Sequence, residues 1–397
     1  MRTELHVRLI RVLLLCALIA PSIHCASEDG AGPQACDGCD CSNVPDDDDS
    51  SISDDDDSSI SDDDDSSISD DDDSSISDDD DDDDDSSSSD DVTQSLEPCV
   101  GGVLASFTDG AITPPASGSE GYTPPAGDVL EAIEDSVDAL VADQGVLAAA
   151  EVAVVGYELC RGDGDEAGIA LWRPVQSGTG RALFAWRAVA ARPLIVGVPH
   201  ANFEQLTLEE GVAMFEQLDA RALIVTGTHR CANEAAAGCD GNTSVCSAES
   251  EPYRESDMAH VEDSVFQVAH EALSSLFDED IVMSLHGMSG LGISISSGVL
   301  GQVEDDSFHS LFATELLLSF ADEDITSCNP YPGGSTQQRL CGTTNAQGRF
   351  VNGSESPCDT PAEEISGRFI HLEQSLEVRQ QYDEIIEDLD ALLPESD

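Results

Sequence analysis

Residues 46–77 are four consecutive octads of Asp-Asp-Asp-Asp-Ser-Ser-Ile-Ser, and Asp78 to Ser89 continue the pattern. One Ile per eight residues cannot bury a core, and runs of four like charges repel one another into an extended chain. This stretch excludes a fold over residues 46–89. Whatever core exists must be built from the residues after it. The stretch is a low-complexity expansion rather than a solenoid, because no unit of it has an apolar face to stack. It reads as a disordered stalk of residues 26–91, holding the carboxyl-terminal part of the chain away from a surface. Loose Ca²⁺ binding by its carboxylates is expected to be non-specific, because the Gly and Glu of an EF-hand loop are missing.

The chain before the stalk carries a secretory pattern over residues 1–25. Arg2, Arg8 and Arg11 precede or flank the apolar run Val12 to Ala20, which is too short to span a bilayer. Cys25 leaves two routes open, a lipid anchor on that cysteine or plain secretion. Export predicts an oxidising compartment. Cys99, Cys160, Cys231, Cys239, Cys246, Cys328, Cys341 and Cys358 then give up to four disulfides, with local pairs within 231–246 and 328–358 favoured. Cys36, Cys39 and Cys41 lack a second Cys/His pair at zinc-finger spacing and read as part of the spacer.

Charge narrows the partners. The chain has 82 Asp and Glu against 15 basic residues, all of them Arg, for a net charge of −67. Removing the 26 Asp of residues 46–91 leaves 56 acidic residues against 15 Arg, so the folded part is acidic too. Phosphate backbones and anionic lipid surfaces need the opposite sign, which excludes nucleic acid. An acidic surface of this kind suits a saline habitat, where salt screens the self-repulsion.

From Val92 the composition is that of a globular chain. Residues 92–150 read as a linker and an N-terminal helix, Asp128 to Asp143. Residues 151–397 alternate apolar strands with helices, which predicts an α/β domain with a mixed, centrally parallel sheet flanked by helices. Expected strands are Val152 to Tyr157, Ile169 to Trp172, Ala182 to Val189, Leu194 to Val198, Ala222 to Thr226, Ile281 to Leu285, Ile293 to Ser297 and Arg368 to Leu372. Expected helices are Leu208 to Leu218, Asp257 to Phe277 with Ser256 as its cap, Ser310 to Phe320 and Glu377 to Leu393.

Three of these strands end in chemistry. Leu194 to Val198 runs into Pro199 and His200, with Glu204 four residues on. Ile281 to Leu285 runs into His286 and Gly287. Arg368 to Leu372 delivers Glu373. Strand ends of a parallel sheet gather at one edge, where α/β sites form. Two imidazoles and one carboxylate make the three-ligand set of a catalytic zinc, and a further carboxylate is needed to move protons. Arg230, in the polar loop after Ala222 to Thr226, is placed to meet a substrate carboxylate or a developing oxyanion, or to pair with one of many acids. Asp257 and His260 share a helix face and read as a helix-start network, with a supporting or ligand role as the alternative. The loop Thr343 to Gly353 offers Asn345 and Arg349 as substrate contacts. His371 shares the face of Glu373. A serine hydrolase is not supported: Ser117 to Gly121 lacks the first Gly and the flanking strand and helix of a nucleophile elbow.

These motifs, scattered over about Val152 to Arg379, resemble the zinc carboxypeptidase superfamily of α/β amidohydrolases. Within it they are most similar to poly-γ-glutamate hydrolases and N-formylglutamate amidohydrolases. The resemblance implies His200, Glu204 and His286 as zinc ligands and Glu373 as general base. The three residues between His200 and Glu204 depart from the spacing of those families. The expected activity is hydrolysis of an amide bond near a substrate carboxylate, in a small peptide or an N-acyl amino acid. The competing expectation is an inactive surface protein or lipoprotein that keeps the scaffold and uses the stalk to bind cations.

Overall fold

The computed structural model describes residues 92–108 and 113–396. The secretory segment, Cys25, the cysteines at 36, 39 and 41, and the acidic stalk lie outside the described residues. The apolar runs of the sequence become one ten-stranded sheet. Its members are β1 (Tyr157–Arg161), β2 (Ile169–Pro174), β3 (Leu183–Arg187), β4 (Arg192–Val198), β5 (Ala220–Val225), β8 (Ile281–Gly287), β9 (Ile293–Ser296), β10 (Ile325–Ser327), β11 (Ser335–Thr336) and β12 (Phe369–Gln374). They lie in the order β1-β2-β3-β5-β4-β8-β12-β9-β10-β11. The four central strands, β5, β4, β8 and β12, are mutually parallel, while β1–β3 and β9 run antiparallel to their neighbours on the central side. Short strands β6 (Asn242–Thr243) and β7 (Glu251–Pro252) pair separately.

Both faces of the sheet are covered, which is why its central strands read as near-continuous apolar runs. One face packs α4 (Thr207–Gln217), α6 (Phe308–Ser319) and α9 (Tyr382–Leu392), with Phe215, Phe312 and Leu389 in one core with Val196, Leu285 and Leu372. The other face packs α2 (Gly127–Val141), α3 (Gly145–Ala153) and α5 (Val265–Leu276), with Ile133, Val152 and Phe266 in one core with Trp172, Ile195, Val282 and Phe369. Side chains alternate across a strand. On β8 and β12 the second face therefore reads Val282, Ser284, His286 and Phe369, His371, Glu373. It changes from apolar to ionisable toward the carboxyl ends, and that change creates the site.

Residues 92–108 and 113–150 pack against this sheet. The chain near Pro98 pairs with Arg161 of β1, and Cys99 is bonded to Cys160. α1 (Leu104–Thr108) lies beside the same region, and α2 and α3 bury Ile133, Val137, Leu140 and Val152 completely. The other disulfides are Cys231–Cys246, Cys239–Cys358 and Cys328–Cys341. Two are the local pairs expected, and the third joins the two loop regions. Four bonds of this kind are consistent with an oxidising compartment.

Three local expectations change. Val152 to Tyr157 is not a strand; Val152 is the buried contact of α3, because the alanines at 148–150 carry the helix on into it. The long helix from Asp257 is broken. A short 3-10 turn, Met258–His260, precedes α5, and Ser264 caps α5 by accepting from Gln267 N at 3.0 Å. Ser256 instead donates to the Arg230 carbonyl at 2.8 Å. The closing helix splits into α8 (Leu376–Arg379), capped by Ser375, and α9.

One carboxyl sits deep in the first face. Glu210 of α4 is fully buried, and Gln374 Nε2 lies 2.9 Å from each of its oxygens. Burial raises its pKa to about 8, against the lowering effects of the Gln374 hydrogen bond and the Arg379 charge. In the unfolded chain it titrates near 4.5. Native structure therefore binds the extra proton between those values, and the stability it brings is complete below 4.5 and lost as pH rises through about 8. Replacing Glu210 with Gln is expected to flatten that part of the pH dependence. Urea midpoints at pH 5 and pH 8 check it: the drop between the two should be smaller in the variant than in the parent chain.

Candidate metal centre

β4, β8 and β12 are neighbours, so their carboxyl ends deliver His200, His286 and Glu373 to one place. His286 and Glu373 are register partners on adjacent parallel strands. His200 follows β4 in a tight turn, whose Phe203 and Glu204 amides both donate to the His200 carbonyl, at 2.8 and 2.9 Å. An i to i+4 turn puts both ends on one side. The three intervening residues, an unusual spacing in sequence, therefore bring Glu204 Oε1 to 2.8 Å from His200 Nδ1. Asn202 anchors the turn by donating to the Thr226 and Thr228 carbonyls.

Donor atoms converge. His200 Nδ1 lies 3.2 Å from His286 Nδ1, and His286 Nδ1 lies 3.8 Å from Glu204 Oε2. A tetrahedral ion with bonds of about 2.0–2.1 Å separates its ligands by about 3.3 Å. The separation of the two imidazole nitrogens is close to that length, and the Glu204 carboxylate meets one nitrogen through each oxygen. All three residues are buried. The opposite nitrogens are also held: His200 Nε2 meets Asp257 Oδ1 at 2.7 Å, and His286 Nε2 meets Ser284 Oγ at 2.9 Å. A carboxylate behind a ligating imidazole fixes its tautomer and turns the other nitrogen toward the ion. Glu204 is oriented in turn by the Gly287 amide, which donates to Oε2 at 2.9 Å. These residues could hold a metal ion by donor type, proximity and support.

The electrostatics ask for a cation. Glu204 and Asp257 are buried, and one guanidinium, Arg230, answers both. Its Nε and one terminal nitrogen donate to Asp257 Oδ2 at 3.1 and 2.7 Å, and the other terminal nitrogen lies 3.6 Å from Glu204 Oε1. For His200, burial and the Arg230 charge push the imidazole down. The Glu204 and Asp257 carboxylates and the Asp257 hydrogen bond outweigh them and raise it to about 9. Asp257 is held well below the usual carboxylate range: burial opposes this, and Arg230 and His200 overcome it. His286 is kept neutral, first by burial and then by the neighbouring imidazoles of His371 and His200. One imidazole thus carries the positive charge that two buried acids and one arginine leave missing.

Glu373 stands beside this cluster, nearly buried, with His371 Nε2 3.9 Å from its Oε1. The His286 and His371 rings are in contact, centroids 4.5 Å apart. His286, His371 and Glu373 also bring three ligand atoms within 4.8 Å of one another.

Arg230 therefore reaches the site, but as the partner of Asp257. Arg349 and Asn345 are both engaged within their own loop. The Arg349 guanidinium is buried against Asp240 and donates to the carbonyls of Thr343, Pro357 and Cys358. Asn345 is wholly buried and caps α7 (Ala346–Val351) by accepting from Gly348 N at 2.8 Å. Both hold the loop that carries them. Asp257 is the residue the sequence undervalued: its spacing to His260 suggested a helix start, and only the fold carries it to His200. Ser284 was findable, since period two from His286 puts it on the same face.

In the metal-free chain His200 should stay protonated through neutral pH. Its folded pKa is raised, so the stability this brings is complete below about 6.5 and lost as pH rises through about 9. Titrating the imidazole carbons by NMR checks this, and Asp257→Asn should pull the His200 midpoint down. A midpoint that stays put in that variant would show that Asp257 is not its partner.

No family profile matches this chain, and no curated protein does. Among solved structures the chain is similar to that of a bacteriophage poly-gamma-glutamate hydrolase. Identity is 12% over 54% of this chain and 88% of that chain, with a TM-score of 0.27.

Proposed function

We propose that this chain is a zinc-dependent amide hydrolase whose metal is held by His200, Glu204 and His286. The observation that carries the reading is the meeting of those three donor atoms next to Glu373. Bound zinc would polarise a carbonyl and lower the pKa of water toward about 7. Everything else falls to the chain. Asp257 and Ser284 fix the two imidazoles, and Arg230 holds Asp257 ionised. The Gly287 amide orients Glu204. Glu373, on the strand next to His286, accepts the proton of the attacking water and returns it to the departing amine. The amide C–N bond breaks, a C–O bond forms, and the products are a carboxylic acid and an amine.

The substrate class we infer is a small peptide or an N-acyl amino acid. Export is part of the proposal, supported by the apolar amino-terminal run and the four disulfides. Lipid attachment at Cys25 and loose calcium binding by the stalk remain proposals of the sequence alone.

Metal analysis of the purified full chain tests the reading. About one equivalent of zinc is expected, lost in His200→Ala and in His286→Ala. Glu373→Gln should keep the metal and lose about 10²-fold or more in turnover. Less than about a tenth of an equivalent of zinc, or full activity in Glu373→Gln, would overturn it.

A further inference from the structure

Phe203 is the one large apolar side chain in the turn that links two of the proposed ligands, and it is 42% exposed. A single exposed apolar residue is ordinary on a protein surface. Val100, Val154 and Leu291 are more exposed. Phe203 differs because residues of the site hold it. Its ring stands edge-on to His229, with centroids 5.3 Å apart at 87°, and the Arg230 guanidinium carbon lies 5.7 Å from its centre. Its two neighbours in the turn are half-buried, Asn202 tied to backbone carbonyls and Ala201 packed on the core. Ala201 and Asn202 also wall a small hollow of about 40 Å³, with Phe107, Leu208 and Val225 among its other sides. The turn that links His200 to Glu204 therefore exposes one aromatic ring, in a chain with a net charge of −67.

The charged groups nearby point the same way. Arg230 is engaged by Asp257 and lies close to Glu204, so a substrate carboxylate brought to it would meet two acids that already share it. Arg349 is tied to Asp240. An aromatic ring offers what an apolar group needs, area to exclude water without a partner to be satisfied.

We propose that Phe203 is the specificity-determining contact of this site, selecting substrates with an aromatic or branched aliphatic group beside the amide. The proposal rests on the hydrolase reading for its chemistry but not for its test. Calorimetry on the zinc-supplemented full chain compares N-acetylphenylalanine, N-acetylglycine and N-acetylglutamate. The phenylalanyl compound should bind about 10–100-fold more tightly than the glycyl one, the size that a well-fitted apolar contact gives. Phe203→Ala should collapse that ratio toward one with its melting temperature and zinc content unchanged, and Phe203→Leu should restore part of it. Where the amides of the same compounds are turned over, the ratio of kcat/KM should follow. Equal binding of the phenylalanyl and glycyl compounds, tighter binding of the glutamyl one, or a ratio untouched in Phe203→Ala would overturn the proposal. Turnover of none of the amides, with the binding ratio intact, would sink the hydrolase reading and leave the apolar site standing.

Discussion

His200 is bound on both sides by carboxylates, Glu204 at one ring nitrogen and Asp257 at the other. Buried charge is tolerated only when it is paired and fully hydrogen-bonded. That condition reaches far into the structure. Asp257 needs Arg230, and it stands just before the 3-10 turn Met258–His260. Arg230 needs a fixed loop, and Cys231, its neighbour, is bonded to Cys246. Glu204 needs Gly287, which places the end of β8 against the turn after β4. A buried network of this kind is costly to leave half-satisfied, and its members are mutually dependent.

The loops at this edge of the sheet are cross-linked more heavily than the sheet itself. Among the described residues, three of the four disulfides join segments from the regions 231–246 and 328–358. Their polar sequences have little apolar area to bury, so covalent closure and internal partners replace a core. Arg349 shows this at the level of one residue: its guanidinium gathers Asp240 and three backbone carbonyls into a knot beside Cys239–Cys358. The same residue looked like a substrate contact in sequence because a polar loop with two glycines suits either role.

The strand ends at His200, His286 and Glu373 were legible because an apolar run that stops in an ionisable residue has few meanings in a parallel sheet. Asp257, Ser284 and the Gly287 amide were harder. They support the site from behind, and support comes from whichever element the fold brings near. The spacing of His200 and Glu204 was read as a departure from related families. A tight turn makes four residues as good as any other interval for placing two side chains together.

By itself the sequence determined where a core could exist, since the Asp-rich octads cannot bury one. It also determined the class of the sheet, because strand runs without polar alternation require cover on both faces. It marked which strands end in ionisable residues. Tertiary structure alone decided that those strands are neighbours, that Arg230 belongs to Asp257, and that Arg349 and Asn345 serve their own loop. The physical reason is one of range. Periodicity and composition act over a few residues and are written locally. Charge pairing acts across 57 residues from His200 to Asp257 and 109 from Asp240 to Arg349, and it exists only once the chain has closed.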